Sequence, residues 1–118
     1  MIIIYPAKKD PPAINMVKPE TFRQIVLALP GTVEQPHFEK TSFRVKKKIF
    51  ATLSIESNKA VLKLSLIDQS LFCAFDKTII YPVKGTWGKQ GWIVVELKKI
   101  RKPMLQDALN TAYSEVNS

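Results

Sequence analysis

The chain has 118 residues, 46% of them hydrophobic, and a formal net charge of +8 from 18 basic and 10 acidic side chains. That length suits one domain whose core needs neither disulfides nor metals to hold it. Cys73 is the lone cysteine, so no intrachain disulfide forms and a reducing, cytoplasmic setting is expected. No apolar run approaches the roughly 20 residues that cross a bilayer, so no membrane partner is expected.

Residues 1–17 read as a flexible tail, with a single domain over residues 18–118 that begins near Met16. Met1–Tyr5 carries three isoleucines, but Pro6, Lys8, Lys9 and Asp10 follow at once. The charge order and length do not suit a secretory signal, so export is not expected. Pro6, Pro11 and Pro12 break any regular element.

Pro19 and Glu20 open a first helix through Leu29, with Phe22, Ile25, Val26 and Leu29 on its apolar face. Pro30-Gly31 ends it. Thr32–Phe38 reads as a strand that Pro36 places at an edge. Phe43–Leu66 then reads as a three-stranded meander, with turns at Lys46-Lys47-Lys48 and Glu56–Lys59. Phe43 and Val45 share one face, while Arg44 and Lys46 share the other. In the next strand Ile49, Ala51, Leu53 and Ile55 face inward, opposite Phe50, Thr52 and Ser54. In the third, Leu62, Leu64 and Leu66 face inward, opposite Val61, Lys63 and Ser65. Asn58 tolerates the positive φ of such a turn, and Glu56 and Lys59 can pair across it.

Asp68 is expected to cap a short helix reaching about Phe75 that buries Leu71, Phe72 and Phe75. Thr78–Val83 is ambiguous, with a strand-like core limited by Pro82. Lys84–Gly91, with three glycines, reads as a flexible connection. Trp92–Leu97 alternates as a last strand, with Ile93, Val95 and Leu97 opposite Trp92, Val94 and Glu96. Pro103 opens a final helix whose apolar stripe runs from Met104 to Val116. This order predicts an α+β fold, a two-layer sandwich in which an antiparallel sheet carries two long helices on one face. The other face stays partly open to water or to a partner.

Several short pieces of this chain stand in a telling order: Leu29-Pro30-Gly31, Pro36-His37-Phe38, Phe43-Arg44-Val45, Lys48-Ile49-Phe50-Ala51, Trp92-Ile93-Val94 and Ala112-Tyr113. From about Pro19 to Val116 the series resembles the MmcQ/YjbR family of small bacterial proteins. The resemblance implies a CyaY-like, frataxin-related fold and no enzyme activity. It also implies a DNA-binding role with a double-wing arrangement. Lys46 and Lys47 stand where that family often has glycines, which adds charge at a projecting turn. The tail before Met16 lies outside the family pattern.

Catalytic and metal chemistry find little support. His37 is the sole histidine, and neither a nucleophile system nor a metal site can be built around it. Cys73 lies on an apolar helix face, where an inert thiol is the usual outcome. Glu34 and Glu39 fall among polar turn residues and are expected to be solvated. Frataxins carry an acidic ridge on the first helix, but here that helix has Glu20 beside Lys18 and Arg23. Hard cations need clustered oxygen ligands, so iron handling is not expected, nor is any cofactor.

The basic residues carry the functional expectation. Lys40, Arg44, Lys46, Lys47 and Lys48 occur with no acid between Lys40 and Ile55. If the last strand runs antiparallel to Ala60–Leu66, the Lys84–Gly91 loop reaches the same end of the sheet. Lys84 and Lys89 then join the cluster, and two basic loops flank a groove. Lysines would hold phosphates, Arg44 could make a bidentate contact, and Trp92, if exposed, could stack on unpaired bases. Phe50 is expected to pack instead. Lys98, Lys99, Arg101 and Lys102 form a second run, expected at the far end of the sheet. The partner predicted for Lys40, Arg44, Lys46, Lys47, Lys48, Lys84, Lys89 and Trp92 is a nucleic acid, DNA before RNA. The alternative is an adaptor that binds a protein or a small anion on the open face around Trp92.

Overall fold

A computed structural model describes residues 16–117 of the chain. Its elements are α1 (Pro19–Leu27), β1 (Val33–His37), β2 (Lys40–Val45), β3 (Lys48–Ser54), β4 (Lys59–Lys63) and α2 (Leu66–Cys73). Then come β5 (Ile80–Pro82), α3 (Thr86–Lys89), β6 (Trp92–Glu96) and α4 (Lys102–Asn117). The six strands form one antiparallel sheet in the order β1-β2-β3-β4-β6-β5. Helices cover one face, so the chain is an α+β sandwich of two layers.

The core follows from the alternation of each strand. Phe43, Val45, Leu53, Leu62, Ile93 and Val95 point to the helix layer and are buried. Phe22 of α1 meets Phe43 edge to face, with ring centroids 5.7 Å apart. The stripe on α4 is buried at Met104, Leu105, Ala108, Leu109 and Ala112. Tyr113 extends it: its ring meets Phe50 edge to face at 5.6 Å, and its hydroxyl donates to the Pro30 carbonyl just past α1. The expected tail boundary at residue 17 needs moving. Val17 is buried and donates its N–H to the Leu97 carbonyl at 2.7 Å, so it belongs to the packed body. Residues 1–15, and the tail predicted there, lie outside the described residues.

Several further expectations are corrected. In β3, Phe50 is buried on the helix side and Ile49 turns to the open face, the reverse of simple alternation. A β-bulge is the reason: the pairing with β2 shifts between Phe43↔Ala51 and Arg44↔Ile49, which leaves Phe50 as the extra residue. Strand β3 also ends at Ser54, leaving Ile55 exposed in the turn. Helix α2 begins at Leu66, not at Asp68. Ser65 is its cap, its Oγ accepting from the Asp68 N–H at 3.1 Å and donating to Asp68 Oδ2 at 3.0 Å. That earlier start rotates the helix so that Phe72 and Cys73 face the core while Leu66, Leu71 and Phe75 are exposed.

The Lys84–Gly91 segment is not a loose connection, because it folds into α3 and its flanking turns. Glu34 is not simply solvated. It makes two hydrogen bonds with Arg23 of α1, Nη2 to Oε1 at 2.7 Å and Nε to Oε2 at 3.1 Å. Lys59 pairs with Glu96 at 3.5 Å rather than with Glu56 across the turn.

Among the described residues no helix is long and apolar enough to cross a membrane.

Candidate nucleic-acid interface

The uncovered face of the sheet is built from the other half of each strand. The β1–β4 registers and the β4–β6 pairing lay Ser42, Thr52, Val61 and Val94 in one row across it, with Tyr81 of β5 at the end. A groove of about 780 Å³ crosses this face. Its floor is apolar, made by Ile49, Val61, Val83 and the half-buried ring of Trp92. Its rim is basic: Lys40 and Arg44 come from β2, Lys47 from the β2–β3 turn and Lys48 from the start of β3. None of its described lining residues is acidic. A second hollow continues it toward β5 and brings in Lys84, Lys59 and Tyr81, again with no acid among its described lining residues.

Two aromatic rings stand at its ends. Phe38, in the β1–β2 turn, is 95% exposed and has φ of 59°, a left-handed backbone that is rare for a bulky residue. The His37 ring meets it edge to face at 4.9 Å. Trp87 of α3 is 61% exposed and meets Trp92 edge to face at 5.6 Å. The fold holds that corner firmly. Gln69 of α2 donates its side-chain amide to the Gly88 carbonyl at 2.7 Å and to the Trp92 carbonyl at 3.1 Å. Lys63 donates from Nζ to the Gln90 and Leu64 carbonyls at 2.7 and 2.9 Å. Gly88 approaches so closely that an added Cβ would lie 1.8 Å from the Val83 carbonyl oxygen.

The predicted residues divide accordingly. Lys40, Arg44, Lys47, Lys48 and Trp92 line the groove, and Lys84 lines its continuation. The antiparallel pairing of β4 with β6 puts the α3 corner at the same end as the β2–β3 turn, as the charge argument requires. Lys46 turns the other way, its Nζ donating to the Asn117 carbonyl at 2.9 Å, where a cation complements the C-terminus of α4. Lys89 is exposed at the end of α3 and is not among the groove's lining residues. The second basic run follows β6, whose Glu96 end pairs with Lys59 at the opposite end of the sheet. Sequence reasoning missed Phe38 and Trp87. The signal for Phe38 was a large ring inside a tight turn, and for Trp87 an aromatic placed between Gly85 and Gly88.

Electrostatics favour anions on this face. Glu96 of β6 is an acid on this face, and it is already engaged: it accepts from the Tyr81 hydroxyl at 2.5 Å and pairs with Lys59. Its charge holds Lys59 above the ordinary lysine value, and its hydrogen bond raises Tyr81 as well. Arg44 donates from Nε to Ser42 Oγ at 3.3 Å, and Ser42, itself fully buried, donates to the Gln35 carbonyl at 3.0 Å. This second tier orients the guanidinium. Cys73 lies in the helix layer, and burial pushes its thiol up from the ordinary value, so it is a packing residue.

A two-layer α+β domain with a basic, aromatic groove on its open sheet is thus the class of protein defined here. The chain belongs to the YjbR family: the family model described as YjbR matches residues 27–115. The crystal structure of Deinococcus radiodurans protein DR2400, whose family-model domain is DUF419, is similar in fold, with a TM-score of 0.75 at 21% identity. The match covers 92% of this chain and 82% of that one. Among curated proteins, none matches this chain.

Proposed function

We propose that this YjbR-family domain is a non-enzymatic nucleic-acid-binding module, with DNA as its first candidate ligand, and that it binds through the open face of its sheet. The observation that carries the reading is the basic rim formed by Lys40, Arg44, Lys47 and Lys48 around one groove, with no acid among the groove's described lining residues. Clustered cations facing a polyanion release its counterions, so binding would be strong at low salt and steeply salt-dependent. Phosphate contacts from the lysines would position the strand, and Arg44 is the residue suited to a directional contact. The apolar floor around Trp92 also suits an adaptor role toward a protein or a small anion, which is the second reading.

Fluorescence polarisation of labelled DNA at stepped salt concentrations tests the proposal. Replacing Lys47 and Lys48 together by alanine should flatten the slope of log K against log salt by about two units. Lys46→Ala, whose ammonium is committed to α4, should leave the slope within about half a unit of wild type. An unchanged slope in the Lys47/Lys48 double variant removes the rim from the interface and favours the adaptor reading.

A further inference from the structure

We infer that the groove takes single-stranded nucleic acid, with unpaired bases stacked on Phe38 and Trp87. This rests on the nucleic-acid reading above and specifies the form of the ligand.

Cations alone would satisfy a duplex, which offers phosphates on its outside and hides the faces of its bases. This surface has more than cations. Phe38 is 95% exposed in a left-handed turn, and Trp87 is 61% exposed beside the groove. Phe38 holds its ring in water on backbone that disfavours it, and its edge-to-face contact with His37 buries almost none of that ring. Observed strain of this kind points to function rather than to folding. Both rings border the space whose floor is Ile49, Val61, Val83 and Trp92, a surface that would welcome the flat faces of bases. Arg44, Lys47 and Lys48 border the same space, where the phosphates of the strand would run. Stacking on exposed rings beside a cationic track is the physical basis of sequence-tolerant single-strand binding. Strand β2 lies along the groove, and Lys40–Val45 spans about 17 Å at the usual rise per residue. That length fits roughly three to five nucleotides of one strand.

The two tryptophans of the chain, Trp87 and Trp92, both line the groove, so intrinsic fluorescence reports on it directly. The full chain would be titrated at stepped salt concentrations with four probes, compared at matched salt: an oligothymidylate of about ten nucleotides, its duplex with oligodeoxyadenylate, an abasic strand of equal length, and thymidine monophosphate. The expected result is quenching by the oligothymidylate and an affinity at least about tenfold above that for the duplex and the abasic strand. Phe38→Asn suits the left-handed backbone while removing the ring. It and Trp87→Ala should each weaken oligothymidylate binding at least about fivefold, with the salt slope and abasic binding unchanged. Equal binding of oligothymidylate, duplex and abasic strand overturns the stacking inference and leaves the phosphate-binding proposal standing. Thymidine monophosphate binding as tightly as the oligothymidylate also overturns it, in favour of a free nucleotide. Failure of every polymer to bind at low salt overturns the proposal and the inference together.

Discussion

Two exposed lysines in the β2–β3 turn adopt backbone that side chains usually avoid, and their side chains go different ways. Lys46 and Lys47 have φ of 51° and 68°, the pair of positive values that a two-residue hairpin turn demands and that glycine or asparagine would normally supply. Lys46 recovers something by bonding the last turn of α4. Lys47 instead borders the groove, so its strain serves no contact within the fold that would need a lysine. Lys47→Gly should therefore raise stability by about 1 kcal/mol, seen as a melting temperature higher by roughly 4 °C. The same variant should bind DNA more weakly, with a salt slope flatter by about one unit. A lower melting temperature would show that the lysine supports the turn itself. The positive charge at this turn was visible in the sequence, because three lysines stand together. The strain was not, because φ depends on the turn type that pairing imposes.

At the level of elements, the sequence was most legible where periodicity and breakers agreed. Pro19 and Pro30-Gly31 bracket α1, Pro36 marks β1 as an edge, and the stripe on α4 is buried as its spacing implies. It was least legible where one residue changed the phase. The bulge at Phe50 has no sequence marker of its own; it follows from seating that ring against Tyr113 while Ile49 reaches the groove floor. The start of α2 slipped because Ser65 and Asp68 cooperate in one cap, and sequence alone did not say which was the boundary. The glycine-rich segment before β6 reads as flexible by composition, yet its glycines allow close backbone approach. Gly91 has φ of 106°, and a Cβ there would lie 1.9 Å from the Leu64 carbonyl oxygen. Gly91 also accepts a hydrogen bond from the Leu64 N–H at 3.2 Å, which sews β4 to the α3 corner. Gly91→Ala should destabilise the domain by more than about 2 kcal/mol, measured as a lower denaturant midpoint. It should also shift the tryptophan emission, since Trp87 and Trp92 flank that corner. A variant with wild-type midpoint and emission would mean the corner relaxes freely.

For the molecule as a whole, the net charge of +8 says less than its distribution. Glu20 and Glu34 bind Arg23 on the helix side, Asp68 and Glu115 line a hollow formed by α2 and α4, and Glu39 lines a hollow with Phe38 and Lys40 in the β1–β2 turn. The open face keeps its cations with little opposition, since Glu96 is taken by Lys59 and Tyr81. Sequence reading could find which lysines cluster along the chain, but only the sheet order brings Lys47 and Lys48 beside the Trp87 corner. Attraction between exposed charges falls off over roughly 8 Å at physiological salt, so position should outweigh total charge. This separates a local interface from general basicity. Lys98 and Lys99 are exposed just beyond β6, at the opposite end of the sheet from the β2–β3 turn. Removing those two cations changes net charge by the same amount as removing Lys47 and Lys48. In filter binding, Lys98→Ala with Lys99→Ala should leave the salt slope within about half a unit of wild type, whereas the Lys47/Lys48 pair should lose about two units. Equal losses from the two pairs would mean that the protein attracts polyanions through overall charge, and that the groove has no privileged part in holding them.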